Sequence, residues 1–221
     1  MNLVKITTYL SILIQIIALF VGMIAYEKKI PIKDIMLSDI LLIENVVQAV
    51  EFTFYLVIGF VITNIPTDKL AQYRYYDWVI TTPIMLLTTL LFFIYENNKK
   101  EDKIESTWEI IKKEKKTIFI LFLLNFGMLT MGYLQETKQL PLLITNTLGF
   151  TFLIYNFYLL KQYAKTEISK KLYWIMLFVW SMYGVAATFN PILKNTSYNM
   201  LDVVSKNFYG VFLAILIFKL K

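Results

Sequence analysis

The chain has 221 residues, 57% of them hydrophobic and 16% aromatic, with only 7 Gly and 5 Pro; it is too apolar for a soluble domain of this size, and a bilayer is its natural solvent. It has no Cys and no His, which argues against disulfide frameworks, thiolate nucleophiles, His-based relays and most zinc sites, so neither enzymatic chemistry nor a metal centre is expected. The net charge of +6 comes without a basic groove interleaved with aromatics, so no nucleic-acid partner is expected either.

The first apolar run, residues 9–26, is about as long as the roughly 20 residues that cross a membrane. No small-residue cleavage site follows it, so it reads as a retained span rather than a signal peptide. A polar connector at 27–39 leads to the second run, 40–65, and a tight turn at 64–69 leads to the third, 70–95. The long connector 96–116 is charged but places Ile104, Trp108 and Ile111 at helical spacing. It reads equally as a solvated loop or as an amphipathic helix lying at the interface. Four more runs follow at 117–134, 140–160, 171–189 and 198–218, separated by connectors at 135–139, 161–170 and 190–197. There is no internal repeat and no low-complexity stretch, so the expectation is an all-α, seven-transmembrane-helix bundle forming one domain over residues 1–221.

Positively charged loops stay on the cytoplasmic side. The connectors after the first, third and fifth spans and the C-terminal tail, with Lys171 at the edge of the sixth span, carry 16 of the 22 basic residues. The N-terminus is therefore expected outside and the C-terminus inside. Lys112, Lys113, Lys115 and Lys116 are also placed to meet anionic headgroups.

Charged side chains deep in a span are costly and usually functional. Loop placement leaves Glu44, Glu51, Arg74, Asp77, Asp202 and Lys206 unexplained. Lys206 lies about 18 Å and 14 Å from the two ends of its span, too far for its side chain to reach an interface. Asp202 is one turn earlier on the same face. Two readings stay open for this group: a buried ion pair that joins helices, or an amine that acts as a nucleophile toward an aldehyde.

The residues that carry a family resemblance are Arg74-Tyr75-Tyr76-Asp77-Trp78-Val79-Ile80-Thr81-Thr82-Pro83, then Leu201-Asp202-Val203-Val204-Ser205-Lys206, with Trp180-Ser181-Met182-Tyr183 between them. Together they resemble the signatures of microbial rhodopsins, in order along the whole chain. The resemblance implies all-trans retinal as cofactor, bound as a Schiff base to Lys206, with Asp77 and Asp202 as its counterions. It also implies that Arg74 orders those carboxylates, that Thr81 hydrogen-bonds near Asp77, and that Tyr55 contacts Asp202. Trp78, Thr82, Trp180 and Tyr183 would border the polyene. The sequence departs from the family where a helix-six proline is Gly184 and a second tryptophan is Ala187, which leaves colour and photocycle speed open.

The family's proton pumps carry a carboxylic donor where this chain has Thr88, and Lys194 stands where an extracellular glutamate is expected. Threonine cannot supply a proton at ordinary pH. Glu44, Gln48 and Glu51 share one face of the second span and would line the cytoplasmic half, with Ser11 and Asn207 completing a path. They read either as a route for monovalent cations or protons, or as polar contacts between helices with Glu44 at the interface. The stripe and the Asp77, Thr81, Thr88 triad resemble the rhodopsins encoded by giant viruses of algae and other protists. That likeness implies a light-gated cation channel, with deprotonation of the Schiff base after retinal isomerises; the alternatives are an outward proton pump using Glu51 or Glu44 as donor, or a sensor signalling through connector 96–116. It further implies a multi-pass protein of the lipid bilayer, in a host-cell membrane if virus-encoded, in a family where homo-oligomers are common.

Overall fold

The protein is described by a computed structural model covering residues 2–220. Its long helices are α1 (Asn2–Tyr26), α2 (Ile35–Val61) and α3 (Thr67–Lys100), then a short α4 (Thr107–Lys113), then α5 (Lys115–Glu136), α6 (Leu142–Lys161) and α7 (Glu167–Ala186). The chain finishes with α8 (Pro191–Asp202) and α9 (Phe208–Lys219), joined without a break by a π-helical turn, Val203–Asn207. Among the described residues there is no strand.

The helices close a ring, because α1 packs on α2, α2 on α3, α3 on α5, α5 on α6, α6 on α7, and α7 on α8, while α8 and α9 return to α1. Six of these helical stretches are long and apolar enough to cross a membrane, α8 through α9 counting as one. The protein is an integral, multi-pass membrane protein. The seventh stretch, α7, has 20 residues but starts with Glu167, Lys170 and Lys171 and does not reach that hydropathy. The outer surface is what lipid requires, with Phe60, Leu143 and Phe119 exposed and backbone polar groups satisfied inside each helix.

Local chemistry sets the helix limits. Asn190 and Thr166 cap α8 and α7 through the backbone N–H groups of Leu193 and Ser169 at 3.0 and 3.2 Å, satisfying donors that a helix start leaves free. Pro141 and Pro191 stand at the starts of α6 and α8, where a missing N–H costs nothing. Pro83 is accommodated inside α3, as membrane helices allow. Helices begin earlier than the apolar runs suggested: α1 at Asn2 rather than 9, α2 at Ile35 rather than 40, and α8 at Pro191 rather than 198. Helical hydrogen bonding continues through polar turns that a hydropathy reading assigns to connectors.

Connector 96–116 divides differently from either expectation. α3 runs on to Lys100, and α4 is fixed by a capping box in which Ser106 and Glu109 exchange hydrogen bonds. Ile104 precedes α4 and is exposed, as is Trp108, whereas Ile110 is the side chain buried against the bundle.

Two ends of the bundle can be told apart. At the near end, where α1 begins, Val4 packs with Ile58 and Leu70. At the far end, where α9 finishes, Leu37, Ile40, Leu41, Leu90, Leu213 and Ile217 form a closed apolar plug. There Lys28 Nζ donates to the carbonyls of Ile217, Phe218 and Leu220 at 3.2, 3.0 and 2.6 Å, matching a cation to the negative end of α9.

Candidate functional site

The centre of the bundle is built around an amine. Lys206 Nζ lies 2.5 Å from Asp77 Oδ2 on α3, 3.5 Å from Asp202 Oδ1 and 3.9 Å from Glu51 Oε1 on α2, with all four side chains buried. One cation against three carboxylates in an apolar interior requires further hydrogen-bond donors. Asp202 has them: Tyr55 at 2.7 Å, Trp78 Nε1 at 3.1 Å, Tyr183 at 2.8 Å and Arg74 at 3.3 Å. Glu51 accepts from Asn207 Nδ2 at 3.0 Å. Asp77 has Lys206 alone, and its Oδ1 has no protein partner.

Lys206 sits in the π-turn, where the Phe208 N–H reaches back to the Val203 carbonyl. The extra residue in this turn is a local distortion often found at functional sites. It sets the side chains of α9 in a different register from those of α8. Nothing in the residue pattern signals it.

A cavity opens from Lys206 between α3, α5, α6 and α7, with about 790 Å³ of empty space including its mouth. Trp78, Thr82, Met85, Trp180 and Tyr183 border it, with Lys206 and Asp202 at its inner end. Trp78 meets Tyr183 edge-on at 5.3 Å between ring centroids, so the walls are rigid aromatic slabs. The lining is that of a small-molecule pocket, mostly apolar with few polar groups. Gly184, where the family has proline, lets Phe150 close in: a Cβ there would lie 2.6 Å from that ring. The Trp180 indole N–H has no protein partner. The apolar, aromatic lining with the Lys206 amine at one end suits a long apolar molecule that ends in an aldehyde.

Arg74 is buried on the near-end side of the amine. Its guanidinium donates to Tyr55 at 2.8 Å, to Asp202, to Asn195 Oδ1 at 3.4 Å, and to Asn199. Thr81 does bond to Asp77, but to its backbone carbonyl at 3.0 Å rather than its carboxylate. Thr82 bonds to the Trp78 carbonyl and accepts from Asn125.

Glu44, Gln48 and Glu51 share a buried face of α2 as the spacing indicated, yet they are not equivalent. Glu51 belongs to the amine cluster at the centre rather than to the far half. Glu44 is fully buried, not at an interface, and accepts a hydrogen bond from Thr88. Gln48 lies between them with neither amide atom partnered, packed against the backbone at Gly210. Ser11 donates to the Asn199 carbonyl at 3.2 Å, toward the near end.

The sequence reading passed over Asn195, Asn199 and Tyr198, although residues 195, 199, 202 and 206 recur at the spacing of one helix face. It also left Lys194 unpartnered; its amine bonds to Glu136 of α5 at 2.9 and 3.1 Å. That pairing joins residues 58 apart and has no local signature.

A ring of membrane helices enclosing an apolar pocket that ends at a buried lysine with carboxylate counterions defines a retinal-protein architecture. The chain belongs to the family described as bacteriorhodopsin-like protein, whose model matches residues 2–220. Among solved structures it is similar to viral rhodopsin OLPVRII, with 26% identity, 99% of each chain covered and a TM-score of 0.87. It is also similar to a blue light-absorbing proteorhodopsin from Med12, with 19% identity, 98% of this chain and 96% of that one, and a TM-score of 0.75. The light-driven proton pump Coccomyxa subellipsoidea rhodopsin shares the fold at 12% identity, 98% and 97% coverage, and a TM-score of 0.69. No curated protein matches. The chain is a microbial rhodopsin like the viral ones, and its cofactor is retinal, held as a Schiff base to a lysine.

Proposed function

We propose that this microbial rhodopsin is a light-gated cation channel with all-trans retinal on Lys206. Its helices cross the membrane seven times, α7 included, as one domain with the near end extracellular and the far end cytoplasmic. The lysine-rich connectors and tail support that orientation. Lys206 is the only lysine among the residues bordering the aromatic cavity.

Retinal bound at Lys206 supplies one thing: light energy converted into a change of shape at Nζ. The chain does the rest. Asp77 Oδ2, already 2.5 Å from Nζ, takes the proton, because its carboxylate has no competing donor while Asp202 is held by Tyr55, Trp78, Tyr183 and Arg74. Neutralising the Lys206 and Asp77 charges removes the attraction that joins α3 to the π-turn. The release favours a conformer in which water reaches Glu51, Gln48 and Glu44.

The observation that carries the channel reading is the row of buried polar side chains along this face, Glu51, Asn207, Gln48 and Glu44. Polar groups buried in an apolar medium are costly, and carboxylate and amide oxygens can replace the hydration of a passing cation. The far-end plug of Leu37, Ile40, Leu41 and Leu213 keeps the dark state shut by excluding water. Voltage-clamped photocurrents test the reading. A channel current reverses with the cation gradient; a current that keeps one direction near zero voltage contradicts it.

One contact favours an outward proton pump instead. The Thr88 hydroxyl donates to Glu44, which sets a carboxyl beside the position where the family's pumps carry their donor. In a pump, Glu44 would return a proton to Lys206 through Glu51, and Glu44→Gln would slow recovery without changing the direction of current.

A further inference from the structure

We infer that Asn199 is a positioning residue that holds Arg74 against the counterions and latches both to α1, sealing the extracellular half in the dark. The inference rests on the photoreceptor reading above and adds a residue outside the family motifs.

Asn199 lies one helical turn before Asp202 and is fully buried. Its side-chain oxygen accepts from the Arg74 guanidinium and lies 3.3 Å from the Tyr55 hydroxyl, whose one proton goes to Asp202 at 2.7 Å. Its side-chain nitrogen points to α1, with its two protons directed at Thr7 Oγ1 at 2.8 Å and Thr8 Oγ1 at 3.0 Å and the Val4 carbonyl nearby at 3.2 Å. Both threonine hydroxyls spend their own proton on α1 carbonyls, Thr7 on Leu3 and Val4 and Thr8 on Val4, so they can only accept. The amide therefore has one sense. Reversed, its oxygen would face a carbonyl and its N–H groups a guanidinium.

This arrangement makes α1 part of the counterion system. The Tyr55 hydroxyl accepts from Arg74 and gives its proton to Asp202, with Asn199 Oδ1 3.3 Å away, so the three groups surround one hydroxyl. Asn195 braces the opposite edge: its Oδ1 accepts from Arg74 while its Nδ2 is tied to Thr67 and Pro191 carbonyls at 3.0 and 2.9 Å. Arg74 is 2% exposed. A guanidinium freed from Asn199 would turn toward the extracellular side, where water solvates it, and would leave Asp202 behind. Ser11, bonded to the Asn199 carbonyl, carries the latch another turn along α1.

The test uses full-length protein carrying retinal, with Asn199→Ala, Asn199→Leu, Arg74→Gln and the double variants. Two quantities are read: the absorption maximum, which senses the field at Lys206, and the rate of bleaching in the dark by hydroxylamine, a water-soluble nucleophile. Losing a hydrogen bond to a charged group shifts an opening equilibrium by about tenfold or more, so both Asn199 variants should bleach about tenfold faster and shift in colour. Residues acting through one another are non-additive. In the Arg74→Gln background, replacing Asn199 should add no further colour shift. Asn199→Leu keeps the branched shape and heavy-atom count of the side chain, so a defect confined to Asn199→Ala would mean mere packing and overturn the inference, as would a colour shift that adds in full to that of Arg74→Gln. Failure of the wild type to form a pigment would instead sink the photoreceptor reading.

Discussion

Asp77 and Asp202 face the same amine but are bound unequally: Asp202 accepts hydrogen bonds from Tyr55, Trp78, Tyr183 and Arg74, whereas Asp77 has Lys206 as its one partner. Two carboxylates that look interchangeable in the sequence are therefore assigned different work by their neighbours. In the function proposed above, the fully bonded group would serve as a fixed anion and the sparsely bonded one would accept the proton.

The two conservative substitutions should separate these roles. Asp77→Asn is expected to fold, bind retinal and shift to longer wavelength, but to lose proton transfer from Lys206 in flash spectroscopy. Asp202→Asn disturbs four donors at once and leaves Arg74 without its carboxylate. Four buried donors lose their carboxylate, against one for Asp77→Asn, so this variant should lose pigment at a lower temperature than Asp77→Asn does. Equal behaviour of the two would contradict the assignment.

Photocurrents should respond to α2 in order. Glu51→Gln removes a carboxylate 3.9 Å from Lys206 and should alter both current size and cation selectivity. Glu44→Gln, farther along the path, should alter selectivity or recovery with little change in colour. If both variants match the wild type in current and reversal potential, the conduction path is wrongly placed.

Gly210 offers a packing test of the same path. A Cβ there would lie 2.9 Å from Gln48 Cδ and closer still to its nitrogen. Alanine favours a helix over glycine by roughly 0.5–1 kcal/mol, yet overpacking costs typically 1–3 kcal/mol. Gly210→Ala should therefore destabilise the pigment and reduce current, and Gln48→Ala added to it should restore stability. Failure of that rescue would show that the Gln48 contact is not what Gly210 protects.

Outside the membrane, α4 should respond to acid. The Ser106 N–H, 3.0 Å from the Glu109 carboxylate, holds that group below the usual carboxylate range, with the Ser106 hydroxyl adding to the effect. A lowered folded value means that the contact helps α4 above the ordinary carboxylate pKa of about 4.3 and is lost as pH falls through the folded value. Hydrogen exchange over Thr107–Lys113 should be faster in Glu109→Gln than in wild type at neutral pH, and the two should converge in acid. A difference that persists in acid would show that the carboxylate is not responsible.

Much of this arrangement was legible from residues alone. Hydropathy located the spans, and the cost of burying Lys206, Asp77 and Asp202 marked the site before any coordinate was known. Helix periodicity put Glu44, Gln48 and Glu51 on one face but could not say how deep each lies, because depth depends on how α2 slides against α9. Thus Glu51 joins the amine while Glu44 meets Thr88. The pairing of Lys194 with Glu136 and the reach of Asn199 to Thr7 and Thr8 join segments distant in sequence. The π-turn Val203–Asn207 contains no Gly or Pro that would mark it in the sequence.

The central claim is that Lys206 is the amine that holds retinal. Purified wild-type protein mixed with all-trans retinal should turn coloured, with an absorption band that vanishes on hydroxylamine treatment in light, and Lys206→Ala should remain colourless under the same conditions. A colourless wild type, or a Lys206→Ala variant with the same band, would contradict the account.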